Sequence, residues 1–113
     1  MTERIGILLR ITDQIVSVIP EASKNLENFS LNQNYPNPFN PTTKINFDLK
    51  NNAFAMLRIY DITGREVRTL VNEKLSVGTY TYDFNASELP SGVYFYQLEA
   101  DGFIETKKMI LLK

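Results

Sequence analysis

The chain contains no cysteine and no histidine. Without cysteine, it has no disulfides, no thiolate nucleophile and no structural zinc site of the usual kind. Without histidine, it lacks the commonest general base and the commonest ligand of transition metals. The glycine loop of a phosphate-binding site and the spacing of metal ligands are also missing. We therefore expect a protein that is not an enzyme, with no cofactor and no small-molecule substrate.

Neither sign of charge dominates, since 12 basic residues stand against 13 acidic ones and the formal net charge is -1. This balance argues against binding to the phosphates of a nucleic acid. No apolar run is long and uncharged enough to predict a transmembrane segment. A length of 113 residues suits one domain. A domain of this size has little room for a deep active-site cleft.

Residues 1–20 differ in pattern from the rest of the chain. Their apolar residues recur at spacings of three and four, which predicts a short amphipathic helix ended by Pro20, and a strand left over from a preceding cargo domain is the alternative. Arg10 and Asp13 interrupt the apolar stretch, which argues against a signal peptide. Residues 21–30 are polar, have no sustained period, and are predicted to be a linker.

Residues 31–113 have the alternating pattern of half-buried antiparallel strands. Turn residues separate the strands, and Asp101-Gly102 has the composition of a type I′ hairpin. With a first strand in Phe29–Asn34, the count is about seven, and we predict an all-β, immunoglobulin-like antiparallel sandwich. The predicted inward residues are Ile45, Phe47, Leu49, Leu57, Ile59, Tyr80, Tyr82, Phe84, Tyr94, Tyr96 and Leu98.

Three prolines in YPNPFNPTT, residues 35–43, mark a segment that is neither a helix nor a central strand. We call this segment the strap. It leads directly into the strand that begins at Thr42, and we expect Tyr35 and Phe39 to be apolar plugs that seal the sandwich. Packing alone accounts for such a segment.

Tyr60–Arg65, YDITGR, places a carboxylate, a hydroxyl and a guanidinium on one tight loop. Turn chemistry explains these residues without a catalytic role. Asp61 can accept hydrogen bonds from backbone amides two residues on, Gly64 can adopt a positive φ, and Arg65 can pair with Asp61.

The C-terminal run TKKMILLK, Thr106–Lys113, is predicted to be the last strand of a sheet. Lysines on an edge strand deter aggregation, which explains much of its composition. A chain end built into a sheet is also a segment that a receptor can read, by strand addition or by capture of the terminal carboxylate.

Four segments occur in this order: NYPNPFNPTTKINFDL, LRIYDITGREVRTLV, GTYTYDF and LPSGVYFYQLEADGFIETKKMILLK. Together they resemble the type A C-terminal sorting domain of the type IX secretion system of Bacteroidetes and related bacteria, over about Leu31 to Lys113. A similar immunoglobulin-like module closes the flagellar hook-capping protein.

The resemblance implies a domain at the end of an exported cargo protein. Such a domain passes through the periplasm, is recognised by the outer-membrane translocon, and is removed by a sortase before the cargo is secreted or held at the cell surface. Cleavage is expected within Ala22–Ser30. Matched position by position, the recognition candidates are Pro36, Asn37, Pro38 and Phe39 in the strap, Gly64 and Arg65 in the turn, Gly92 and Tyr94 in a late strand, and Lys107, Lys108 and Lys113 at the C-terminus.

The alternative function is that of an immunoglobulin-like binding or spacer module in a cell-surface protein. Its contacts with a polysaccharide or a protein would use outward aromatic residues such as Phe95.

Overall fold

The computed structural model describes residues 28–113, so the helix predicted within residues 1–20 and most of the predicted linker lie outside the described residues. Seven strands follow one another: β1 (Ser30–Leu31), β2 (Thr42–Leu49), β3 (Ala53–Tyr60), β4 (Glu66–Leu75), β5 (Gly78–Asn85), β6 (Gly92–Ala100) and β7 (Phe103–Leu111). This confirms the predicted all-β fold.

The strands form two sheets, one of three strands in the order β1-β2-β5 and one of four strands in the order β4-β3-β6-β7. Each neighbouring pair within a sheet is antiparallel. The chain changes sheet between β2 and β3, between β4 and β5, and between β5 and β6. The edge strands β1 and β7 contact each other, so they lie on the same side of the sandwich.

The core lies between the two sheets and contains the residues that the alternation predicts. Phe47 stacks on Tyr80 and Tyr82, with ring centroids 5.4 Å and 5.8 Å apart. These two tyrosines stay half-buried because β5 is an edge strand. Burial of each large apolar side chain contributes roughly 1.5–3 kcal/mol. The fully buried large side chains include Phe39, Ile45, Phe47, Leu49, Leu57, Ile59, Phe84, Tyr96, Leu98, Met109 and Leu111.

The outer faces of the two sheets differ in character. In β2 and β5 the outward positions are polar, whereas β3, β6 and β7 carry apolar residues among theirs. Val93 and Phe95 are half-buried on the outer face of the four-stranded sheet. The outward residues of the first face are Thr42, Lys44, Asn46, Asp48, Thr79, Thr81, Asp83 and Asn85.

Candidate recognition site

The strap joins the two sheets along the side where β1 and β7 lie. At its start, the backbones of Tyr35 and Lys44 exchange hydrogen bonds of 3.1 Å and 3.0 Å. Further along, the Phe39 N–H donates to the carbonyl of Ile110, and the Leu112 N–H donates to the carbonyl of Phe39, both at 3.0 Å. Phe39 thus forms a parallel bridge with Leu111. The strap and the C-terminal strand are direct neighbours.

The two aromatic residues of the strap have opposite environments. Phe39 is 2% exposed, and its ring centroid lies 6.1 Å from that of Phe84. Tyr35 is 80% exposed. The predicted plug is therefore confirmed for Phe39 and wrong for Tyr35. Tyr35 pairs with Lys44, whose side chain points outward from β2, and residues directly opposite in an antiparallel pair project to the same side.

Side chains near the strap cover more of the β7 edge. The Ile110 N–H donates to Asn37 Oδ1 at 2.9 Å, and Gln33 Nε2 donates to the carbonyl of Lys108 at 2.8 Å. Together with the backbone hydrogen bonds of Phe39, these contacts pair backbone N–H or C=O groups of residues 108, 110 and 112 along this edge. A sheet edge that is already paired does not offer a template to another strand.

A buried polar network, which the sequence pattern does not predict, lies beneath the strap. Asn34 is 2% exposed, and its backbone N–H donates to the hydroxyl of Tyr96 at 2.7 Å. That hydroxyl donates to the carbonyl of Asn32, also at 2.7 Å. The Asn34 side-chain amide donates to the carbonyl of Pro36 and to Thr43 Oγ1, both at 3.0 Å. The sequence signal for this network is the inward position of Tyr96, because a buried tyrosine hydroxyl requires a hydrogen-bond partner.

The turn at Tyr60–Arg65 has the predicted chemistry. Asp61 Oδ1 accepts from the backbone N–H of Thr63 at 2.9 Å and from that of Arg65 at 3.1 Å, and Asp61 Oδ2 pairs with the Arg65 guanidinium at 3.2 Å. Gly64 has a φ of 89°. The hydrogen bond from the Thr63 hydroxyl, the backbone bonds and the charge of Arg65 lower the pKa of Asp61. These contacts show that the Asp61 carboxylate stabilises the turn.

The turn faces the late-strand residues across a groove of about 360 Å³, lined by both segments. Gly92 is paired with Leu111, and Tyr94 with Met109. Tyr94 is buried, and its hydroxyl donates to the carbonyl of Pro90 at 2.7 Å. Burial, with a smaller effect of the Asp61 carboxylate, raises the pKa of Tyr94. Because Leu111 also bridges to Phe39, the turn, the late strand, the terminal strand and the strap meet at one end of the sandwich.

The three lysines of the C-terminal segment have different environments. Lys107 is half-buried and pairs with Glu105 at 3.3 Å. Lys108 is exposed on the outer face, opposite Phe95 in the register. The Lys113 backbone N–H donates to Ser91 Oγ at 3.0 Å, and its Nζ donates to the carbonyl of Ser87. The last residue is thus attached to the loop that precedes β6.

Exposure divides the eleven predicted recognition residues into three groups. Phe39 and Tyr94 are buried, so in the folded domain they can support a surface but cannot touch a partner. Lys107 is half-buried. The exposed members are Pro36, Asn37, Pro38, Gly64, Arg65, Gly92, Lys108 and Lys113.

A second groove, of about 410 Å³, lies on the outer face of the four-stranded sheet. Tyr60 and Phe95, which are opposite each other in the register, line it together with Ile62, Gln97 and Thr106. Gln97 Nε2 donates to Thr106 Oγ1 at 3.1 Å. The groove combines aromatic rings with an amide and a hydroxyl.

Within residues 28–113, no group of three or more acidic side chains is arranged to hold a metal ion. The same part of the chain has no helix with the length and apolar character of a membrane span.

The sequence matches the model of a known protein family. The family model described as the secretion system C-terminal sorting domain matches residues 33–112, which include the strap, the turn, the late strand and the C-terminal run Thr106–Lys113 except its last residue. No curated protein matches this sequence.

Proposed function

The chain belongs to the family of secretion system C-terminal sorting domains and carries a sorting signal for type IX secretion, and we propose that residues 31–113 direct an attached cargo protein through the outer-membrane translocon. The role is non-catalytic. The domain passes through the periplasm and then reaches the cell surface or the medium with its cargo. Support comes from the family match and from the meeting of the strap, the turn, the late strand and the terminal strand at one end of the sandwich.

The contact with the translocon uses a recognition surface that consists of Pro36, Asn37, Pro38, Lys108 and Lys113. One observation carries this proposal: the strap is hydrogen-bonded to the end of β7, so two motifs far apart in the sequence form one continuous surface. Because the strap already pairs with this half of the β7 edge, a partner strand cannot add there without displacing it. The translocon therefore reads side chains of the recognition surface.

Removal of the domain by a sortase takes place on the N-terminal side of Phe29, within the segment Ala22–Asn28. Phe29 stacks on Phe103 with centroids 5.6 Å apart, and Ser30 Oγ donates to Asp48 Oδ2 at 3.0 Å. These contacts attach residues 29 and 30 to the sandwich. A bond inside that packed region is poorly accessible to a protease. Mass spectrometry of the released domain would locate the bond, and cleavage after Ser30 would contradict this assignment.

A reporter experiment tests the recognition surface. Residues 28–113, which keep the packed Phe29 and Ser30, are fused behind a signal peptide and a reporter in a bacterium that has the type IX pathway. The double variant Lys108→Gln/Lys113→Gln should lower secretion of the reporter several-fold, because it removes two charges from the surface.

The matched control is Lys74→Gln, which removes an exposed lysine of β4 for which no ion pair occurs among the described residues. This control should be secreted like wild type. Circular dichroism should give the same melting temperature for all three proteins. Equal secretion by the double variant and by Lys74→Gln would exclude the two lysines as contacts.

The groove beside Phe95 favours a second candidate function, the binding of a polysaccharide at the cell surface. Aromatic rings next to hydrogen-bonding side chains suit a sugar ring, which has apolar faces and hydroxyl edges. A glycan array with the wild-type chain, Phe95→Ala and Phe54→Ala tests it, since Phe54 is an exposed aromatic residue of the same sheet. Binding that is lost only in Phe95→Ala would support this function. If the wild-type chain binds no glycan on the array, this function is contradicted.

A further inference from the structure

We propose that the hydroxyl group of Tyr96 is the positioning group that holds the strap against β7, and that the recognition surface requires this group. The consequence for export rests on the proposed function. The structural part, the attachment of the strap, stands on the geometry of this chain and can be tested without secretion.

Tyr96 belongs to the four-stranded sheet, and its hydroxyl contacts the segment just before the strap. It is on the inner face of β6, is 0% exposed, and its hydroxyl makes two hydrogen bonds of 2.7 Å. It accepts from the N–H of Asn34 and donates to the carbonyl of Asn32. Both partners belong to the segment that immediately precedes the strap. One hydroxyl therefore fixes the position of the backbone at residues 32–34, where the chain enters the strap.

Asn34 transmits this position to both ends of the strap. Its side-chain amide bonds the carbonyl of Pro36 near the start and Thr43 Oγ1 at the end. Thr43 Oγ1 also donates to the carbonyl of Pro36 at 2.8 Å. Gln33 Nε2 donates to Asn34 Oδ1 at 2.7 Å and to the carbonyl of Lys108 at 2.8 Å, which connects the network to β7. The strap and β7 thus share a single set of hydrogen bonds.

Phenylalanine could fill the same space but could not replace these bonds. In a Tyr96→Phe variant the N–H of Asn34 would be buried without an acceptor, which is more costly than the loss of an average hydrogen bond. The simplest relief is an outward movement of residues 32–34 that lets water reach this N–H. Such a movement lengthens the contacts of Asn37 and Phe39 with β7.

Tyr94 offers a matched control on the same strand. It is also an inward, buried tyrosine, and the change to phenylalanine removes the same atom. Its hydroxyl donates to the carbonyl of Pro90, in the loop before β6, and not to the segment before the strap. A difference between the two variants therefore reports on the strap and not on the loss of a tyrosine hydroxyl as such.

Amide hydrogen exchange in the full chain tests the attachment. The N–H groups of Ile110 and Leu112 donate to Asn37 Oδ1 and to the carbonyl of Phe39. In Tyr96→Phe, these two amides should exchange at least about tenfold faster than in wild type, which corresponds to about 1.4 kcal/mol. The amides of Leu57 and Ile59 in the central strand β3 should accelerate less, and Tyr94→Phe should leave the Ile110 and Leu112 amides near their wild-type rates. Unchanged rates for these two amides in Tyr96→Phe, or equal acceleration throughout the core, would overturn the proposal.

The reporter fusion tests the consequence for export. With the wild-type reporter secreted, Tyr96→Phe should be retained in the periplasm. Tyr80→Phe removes a hydroxyl that donates to the carbonyl of Ser76, outside the recognition candidates, and should be secreted. Secretion of Tyr96→Phe at the wild-type level would overturn the role of Tyr96 in export and would leave the sorting function intact. A wild-type reporter that stays in the periplasm would contradict the proposed function itself, and the exchange rates would still decide whether Tyr96 positions the strap.

Discussion

Replacing the two aromatic residues of the strap separates its packing from its surface. Phe39 is 2% exposed and packs near Phe84, whereas Tyr35 is 80% exposed. Truncation of a buried phenylalanine to alanine removes its burial energy and leaves a cavity, at a cost of about 3–5 kcal/mol. Small domains have a total stability of about 5–15 kcal/mol, so Phe39→Ala should lose a large part of it. Tyr35→Ala should cost less than about 0.5 kcal/mol, as exposed positions usually do.

Urea denaturation followed by far-ultraviolet circular dichroism would measure both variants. The midpoint should fall strongly in Phe39→Ala and stay near the wild-type value in Tyr35→Ala. Phe39→Leu, which keeps most of the side-chain volume, should lie between them. Equal losses in the two alanine variants would refute the assignment of Phe39 as the buried anchor. A loss below about 1 kcal/mol in Phe39→Ala would refute it as well, because such a loss is typical of a site without a cavity.

Three further predictions concern the tyrosine network and the turn. Burial raises the pKa of Tyr96 from 10.0 to about 12, so the stabilising effect of its neutral hydroxyl is lost as the pH rises through this interval. By about pH 11, the free energy of unfolding of wild type should have fallen by about 1.4 kcal/mol more than that of Tyr96→Phe, as measured by urea denaturation. Gly64→Ala should lower the free energy of unfolding by about 1–2 kcal/mol because φ is 89°, and Gly64→Asn should cost less. The pKa of Asp61 is lowered, so the stability that its carboxylate contributes is lost as the pH falls below the ordinary value of 3.8. Asp61→Asn should therefore make acid unfolding, followed by circular dichroism, less steep.

The strands and the turn could be predicted from the sequence because both depend on local patterns. Alternation places Ile45, Phe47 and Leu49 on one face whatever the partner strand is. In the same way, the hydrogen bonds of Asp61 span at most four residues and follow from side-chain chemistry.

The arrangement of the strap could not be predicted because it depends on contacts between distant parts of the chain. The bridge between Phe39 and Leu111 has no local pattern. The burial of Phe39 and the exposure of Tyr35 depend on which sheet each one meets. The alternation also gives Tyr94 and Tyr96 the same inward orientation, and only the fold shows that their hydroxyls bond different segments.

Export of a reporter in the presence and absence of the translocon tests the central claim most directly. Residues 28–113 are fused behind a signal peptide and a reporter. The fractions of the reporter in the periplasm and outside the cell are measured in a strain with the type IX pathway and in one without its translocon. The sorting function predicts that the reporter is outside the first strain and in the periplasm of the second. A reporter that stays in the periplasm of both strains, or that leaves both, would contradict it.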